Sequence, residues 1–164
     1  MNDATLAAIV GGLAGSASSV LVTLFQNSWV EARKRRADQY NKQIDEIVAL
    51  LIKVNDLSLK YWSSSVYLPY EGAAILSSRT ELYSLISAAH REQLQIFSEQ
   101  VFINHINAFY SSITGSGFGS PVRHAADATV LTNARAHFAN CRAYAASCRY
   151  RWSVLHIVPF LGIK

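Results

Sequence analysis

Hydrophobic and polar positions change rhythm several times along the chain, and each change marks an element. Residues 4–25 carry no charge. On a helical wheel Leu6, Ile9, Val10, Leu13, Val20, Leu21 and Leu24 gather on one half, while Ala4, Thr5, Ala8, Gly11, Gly12, Gly15, Ser16, Ser18, Ser19 and Thr23 occupy the other. Beyond Glu31 the pattern becomes an ordinary amphipathic one. Tyr40, Ile44, Ile47, Leu51 and Val54 recur at helical period, and Val48, Leu50 and Ile52 widen that face, so the section is expected to be buried on most sides. Pro69 and Gly72 punctuate it. A second helix is expected over 73–89, with a restart at Ser78, where Ser78 and Glu81 form a capping box. A third is expected over 91–113, with Leu94, Phe97, Val101, Ile106 and Phe109 facing inward. The Gly-rich segment 114–121 reads as a loop, and an alanine-rich fourth helix is expected over 123–156.

The fold class that follows is all-α: an N-terminal transmembrane segment over 1–28, continuous with an antiparallel cytosolic four-helix bundle over 29–164 whose last helix is basic. Twenty-two helical residues extend about 33 Å, enough for a hydrocarbon core of roughly 30 Å. Arg33, Lys34, Arg35 and Arg36 follow as a membrane-surface collar. Cations flanking a span stay on the cytoplasmic side, which predicts a single pass with the N-terminus outside and the C-terminus in the cytoplasm. A cleaved signal peptide would carry its cations before the apolar run, and Met1, Asn2 and Asp3 supply none. The alternative is a buried core helix, whose hydrophobicity the glycines and serines would dilute in the same way.

Small residues decide what the span is for. Gly11 and Gly15 form a Gly-x-x-x-Gly pair, and Ala8, Gly12 and Ser19 extend the ladder. Lipid tails are as apolar as leucine, so helices associate in a bilayer through close backbone approach, which small residues permit. Ala8, Gly11, Gly12, Gly15 and Ser19 are therefore the expected interface of a homo-oligomer. Ser16, Thr23 and Gln26 lie on a polar seam that would hydrogen-bond between helices in a tight bundle, or line a pore in a wider ring.

The net charge of +4 is concentrated late in the chain. Arg123, Arg135, Arg142, Arg149, Arg151 and Lys164 face only Asp127. Arg135, Arg142 and Arg149 recur every seven residues, with Tyr144, Tyr150 and Trp152 among the later ones, a pattern suited to a nucleotide or short nucleic-acid ligand. A solvated basic face is the alternative. The tail, with Trp152, Phe160 and Leu161 beside Arg149, Arg151 and Lys164, is expected either to touch the lipid surface or to pack on the bundle.

Little points to catalysis. No Gly-x-Ser-x-Gly or His-Glu-x-x-His motif occurs, and the glycines of 114–121 precede no Lys-Ser/Thr. His137, Cys141 and Cys148 share a face of the fourth helix but are expected in the core rather than around a metal, and His105 likewise. The two cysteines are expected reduced. No cofactor and no metal is expected. The segment from Arg151 to His156 is similar to the Arg-x4-6-His pattern of ribonucleases with the helical HEPN fold, although Trp152 stands where a polar residue commonly follows that arginine. That resemblance implies Arg151 and His156 as catalytic residues of an RNase, the alternative to a non-enzymatic protein.

The whole plan, one span rich in small residues, a basic collar and a helical body, resembles small single-span bacterial membrane effectors of antiphage defence. The resemblance implies a pore or membrane-disrupting activity of a homo-oligomer in the lipid bilayer of a bacterial inner membrane, gated by a nucleotide or nucleic-acid signal. A membrane-tethered scaffold for a partner protein remains the third reading.

Overall fold

The structure, a computed structural model, describes residues 3–64, 66–91, 97–115, 117–120 and 128–150, with side chains described from residue 22 onward. It is all-α: α1 (Asp3–Ser63), α2 (Pro69–Arg91), α3 (Glu99–Ile113) and α4 (Ala128–Ser147). The chain divides into two compact units, residues 1–38 and 39–164. The first consists of the beginning of α1. The second holds the rest of α1 and the other three helices.

After Gly15 no glycine or proline interrupts α1, which is why one helix runs to Ser63. Its second part supplies Tyr40, Ile44, Ile47, Leu51, Val54 and Tyr61 to the core of the second unit. Those positions advance by three, four or, at the last step, seven residues, so they form one stripe. Ile52 lies about 100° around the helix from Leu51 and remains 39% exposed, so the buried face is narrower than the apolar composition predicts.

Pro69 begins α2 rather than breaking the chain, since a first helical position needs no N–H and suits its fixed φ. Three positions on, Gly72 is buried where an added Cβ would come within 3.4 Å of the Tyr61 ring, so the missing side chain leaves that ring its place against α2. The third helix starts at Glu99, not near Arg91. Ser98 caps it in an extended conformation (φ −84°, ψ 117°), its Oγ accepting from the Val101 N–H at 3.4 Å. Phe102, Ile106, Phe109 and Ile113 then take the core, and Val101 turns outward at 41% exposure. Of the expected inward residues of this helix, Leu94 lies outside the described residues.

The second unit is an up-down-up-down bundle. At one end Tyr40 of α1 meets Phe97, ahead of α3, and its hydroxyl donates to the Cys148 carbonyl at 2.8 Å, just past α4. At the other end Trp62 Nε1 donates to the Ile113 carbonyl at 2.8 Å, and Lys60 pairs with Glu71 at 2.7 Å. Hence α1 and α3 run parallel, and α2 and α4 run against them. α3 packs on both α2 and α4. It brings rings to α4's small side chains: Phe102 lies edge-on to Tyr144 at 5.3 Å, while Ala134, Cys141 and Ala145 are buried between them. Burying a large apolar side chain of this kind contributes about 1.5–3 kcal/mol.

Candidate functional site

In the first unit, residues 22–29 of α1 are all exposed, among them Val22, Leu24, Phe25 (73%) and Trp29 (48%). One turn later the Arg33 guanidinium lies over the Trp29 ring, 5.2 Å from its centroid. Such stacking lets an arginine sit beside apolar surface without a carboxylate. Arg35 makes an i,i+4 pair with Glu31 at 3.4 Å, both side chains open to solvent, a geometry worth at most a few tenths of a kcal/mol. Glu31, Lys34, Arg35 and Asp38 line a shallow recess on the helix surface. Arg36 is exposed.

The expected seam and interface residues fall differently. Thr23 and Gln26 are exposed on α1. Ala8, Gly11, Gly12, Gly15, Ser16 and Ser19 belong to α1, but their side chains lie outside the described residues. Among the described residues no helix is long and apolar enough to cross a membrane.

The late arginines are not one uninterrupted stripe. Arg135 and Arg142 are exposed on α4, and Arg142 lies over the Phe138 ring at 5.7 Å. The helix ends at Ser147, where the Cys148 N–H reaches both Tyr144 O (3.0 Å) and Ala145 O (3.2 Å). Arg149 is therefore past the helix, and it pairs with Asp45 of α1. Next to it, the Asn41 amide grips the backbone of Tyr150 at both groups: Nδ2 donates to the carbonyl at 3.1 Å and Oδ1 accepts from the N–H at 2.9 Å. Arg151 and His156, the residues of the RNase reading, and the tail residues Trp152, Phe160 and Leu161 lie outside the described residues.

His137, Cys141 and Cys148 sit in different surroundings. Cys141 is fully buried and its thiol approaches the His105 carbonyl at 3.3 Å. Burial pushes its pKa up to about 12 and that of Cys148 up to about 11, so both remain protonated thiols at neutral pH. His137 is half-buried on α4. His105 is half-buried and stacks on Tyr144 at 5.0 Å. Among the described residues no group of three or more His, Cys, Asp or Glu could hold a metal ion.

A polar ladder between α2 and α3 escaped the sequence reading. Buried Ser78 and Tyr110 share a hydrogen bond at 2.7 Å. Arg79 Nε donates to Tyr83 Oη at 2.9 Å and its Nη2 to Asn107 Oδ1 at 2.6 Å; Tyr83 also donates to Asn107, and Ser87 to Glu99. The Arg79 guanidinium lies over the Tyr83 and Tyr110 rings as well. The partners come from separate helices, so no spacing in the sequence announces them. Only the amphipathic placement of Ser78 and Tyr110 on inward faces gives a hint.

No family model matches the chain, and neither a curated protein nor a solved structure is significantly similar to it.

Proposed function

We propose that this chain is a single-span, self-associating membrane protein, whose oligomer opens a path through the bilayer or disrupts it under control of the helical domain over 39–150. The observation that carries the reading is the exposed run Val22, Leu24, Phe25 and Trp29, which ends in the cations 33–36. Left in water, each such side chain forgoes part of the about 1.5–3 kcal/mol that full burial contributes. Placed at the end of a span, they meet acyl chains and then the interfacial level where tryptophan is enriched. The uncharged run 4–25 supplies the required length, and the small residues Ala8, Gly11, Gly12, Gly15 and Ser19 supply a face for other copies. Ser16, Thr23 and Gln26 would then lie toward the axis. Arg135 and Arg142 remain available on α4 for an anionic nucleotide signal. Such a ligand acts only if it prefers one arrangement of the oligomer.

The test is native mass spectrometry of the full chain from detergent, with Gly15→Leu beside it, followed by dye release from liposomes. A defined oligomer of four or more that Gly15→Leu disperses, with leakage that follows assembly, is the expected result. A monomer or dimer in both proteins would refute the pore, and extraction of the chain from membranes by alkaline carbonate would refute the span.

A further inference from the structure

We infer that Trp29, Arg33 and Arg36 form a recognition site for the phosphate of an anionic membrane lipid. The inference rests on the membrane-span reading and goes further, because it separates two arginines from the rest of the collar.

Four cations in a row look equivalent in sequence, yet the helix sorts them. Lys34 and Arg35 share a recess with Glu31 and Asp38, and Arg35 is paired to Glu31. Their charge is offset where it stands. Arg33 and Arg36 are one turn apart, and neither has an acidic residue three or four positions away. Among the described residues neither makes an ion pair. Their positive potential is therefore free to meet an outside anion.

The rest of the same stripe says which anion. Phe25, Trp29, Arg33 and Arg36 follow at spacings of four, four and three, so one face turns from apolar to aromatic to cationic. Trp29 and Arg33 are about 6 Å apart along the axis, comparable with the roughly 5–7 Å that headgroups add to each side of the hydrocarbon. Side chains on a helix lean toward its N-terminus, so both arginines reach back toward the apolar end rather than into bulk water. Arg33 does so visibly, its guanidinium resting on the indole of Trp29. A free phosphate or nucleotide would have no use for the apolar continuation through Phe25 and Trp29. A lipid has both parts: a phosphate for the guanidinium forks and acyl chains for the rings.

The experiment reconstitutes the full chain in vesicles that mix phosphatidylglycerol with phosphatidylcholine, the bromine quencher being carried on the acyl chains of one lipid or the other. Quenching that Trp29→Phe removes reports the lipid at this site; Trp62 is buried and serves as internal reference. We expect Trp29 quenching about two- to five-fold stronger when the anionic lipid carries the bromine. Arg33→Gln with Arg36→Gln should equalise the two lipids while quenching persists, and Lys34→Gln should leave the preference intact; circular dichroism checks that each variant folds. Equal quenching in the wild type overturns the lipid site and leaves the span standing. Absence of quenching by either lipid removes the span and this inference together. Loss of the preference in Lys34→Gln to the same degree reduces the effect to a diffuse basic field, and its loss on adding inorganic phosphate assigns the arginines to a free anion; both overturn the proposal.

Discussion

Replacing Asn41 by alanine should loosen the far end of α4 without touching its core. The Asn41 amide makes two neutral hydrogen bonds to the Tyr150 backbone, at 3.1 and 2.9 Å. Each contributes about 0.5–1.5 kcal/mol net, so their joint loss costs about 1–2 kcal/mol at a half-buried position. That corresponds to a change of about 5- to 30-fold in the open population. Cys148 reads it directly. Its thiol is buried and protonated in the closed state, and it lies two residues from Tyr150. A pulse of thiol reagent on the full chain in detergent should label Cys148 about 5- to 30-fold faster in Asn41→Ala. Trypsin cuts after Arg135, Arg142 and Arg149, which places Cys141 and Cys148 on separate peptides for mass spectrometry. Asp45→Asn is the comparison. It removes the ion pair to Arg149, whose side chains are 51% and 56% exposed, and a surface pair contributes about 0–1 kcal/mol. Its effect should stay below about five-fold. Unchanged Cys148 labelling in Asn41→Ala, or an equal acceleration in Asp45→Asn, would refute the assignment of the amide as the stronger tie.

Two further outcomes concern the same domain. Gly119 has φ +79° and its N–H donates to the Tyr61 hydroxyl at 3.0 Å, so Gly119→Ala should lower stability by about 1–2 kcal/mol in a denaturant melt; an unchanged midpoint would show that the loop tolerates a side chain. Alkaline pH should also unfold the domain. Burial pushes Cys148 up to about 11, Cys141 up to about 12 and Tyr110 up to about 12, from ordinary values of 9.0 for the thiols and 10.0 for the phenol. Above pH 9 the unfolded chain loses these protons first, so the native state binds more protons and stability falls as pH rises. The melting temperature should hold through neutrality and decline between about pH 9 and 11, and a flat profile to pH 11 would contradict the burial of these groups.

The bundle was largely legible because its core stripe on α1 is strictly periodic: Tyr40, Ile44, Ile47, Leu51 and Val54 are all buried. The boundaries were less so. Apolar residues on both sides of Ser98 read as one helix, whereas a serine able to bond the Val101 N–H set a new start. Likewise the alanine-rich run suggested a fourth helix through Arg149, but the chain turns after Ser147 and puts that arginine against Asp45. The grip of Asn41 on Tyr150 had no signal at all, since an amide can meet any backbone that passes it. Within the collar the cations were visible; their division by Glu31 and Asp38 required the helix to be wound.

The Asn41–Tyr150 contact joins residues 109 positions apart. At about 5–20 residues per second of synthesis, the asparagine waits roughly 5–20 s for its partner. For more than half of that interval Tyr40, Ile44, Ile47 and Leu51 have emerged without the rings of α3, and for most of the rest without the small side chains of α4. The newborn chain therefore carries a sticky apolar face for many seconds, and whatever receives it from the ribosome must shelter that face until the last helix arrives.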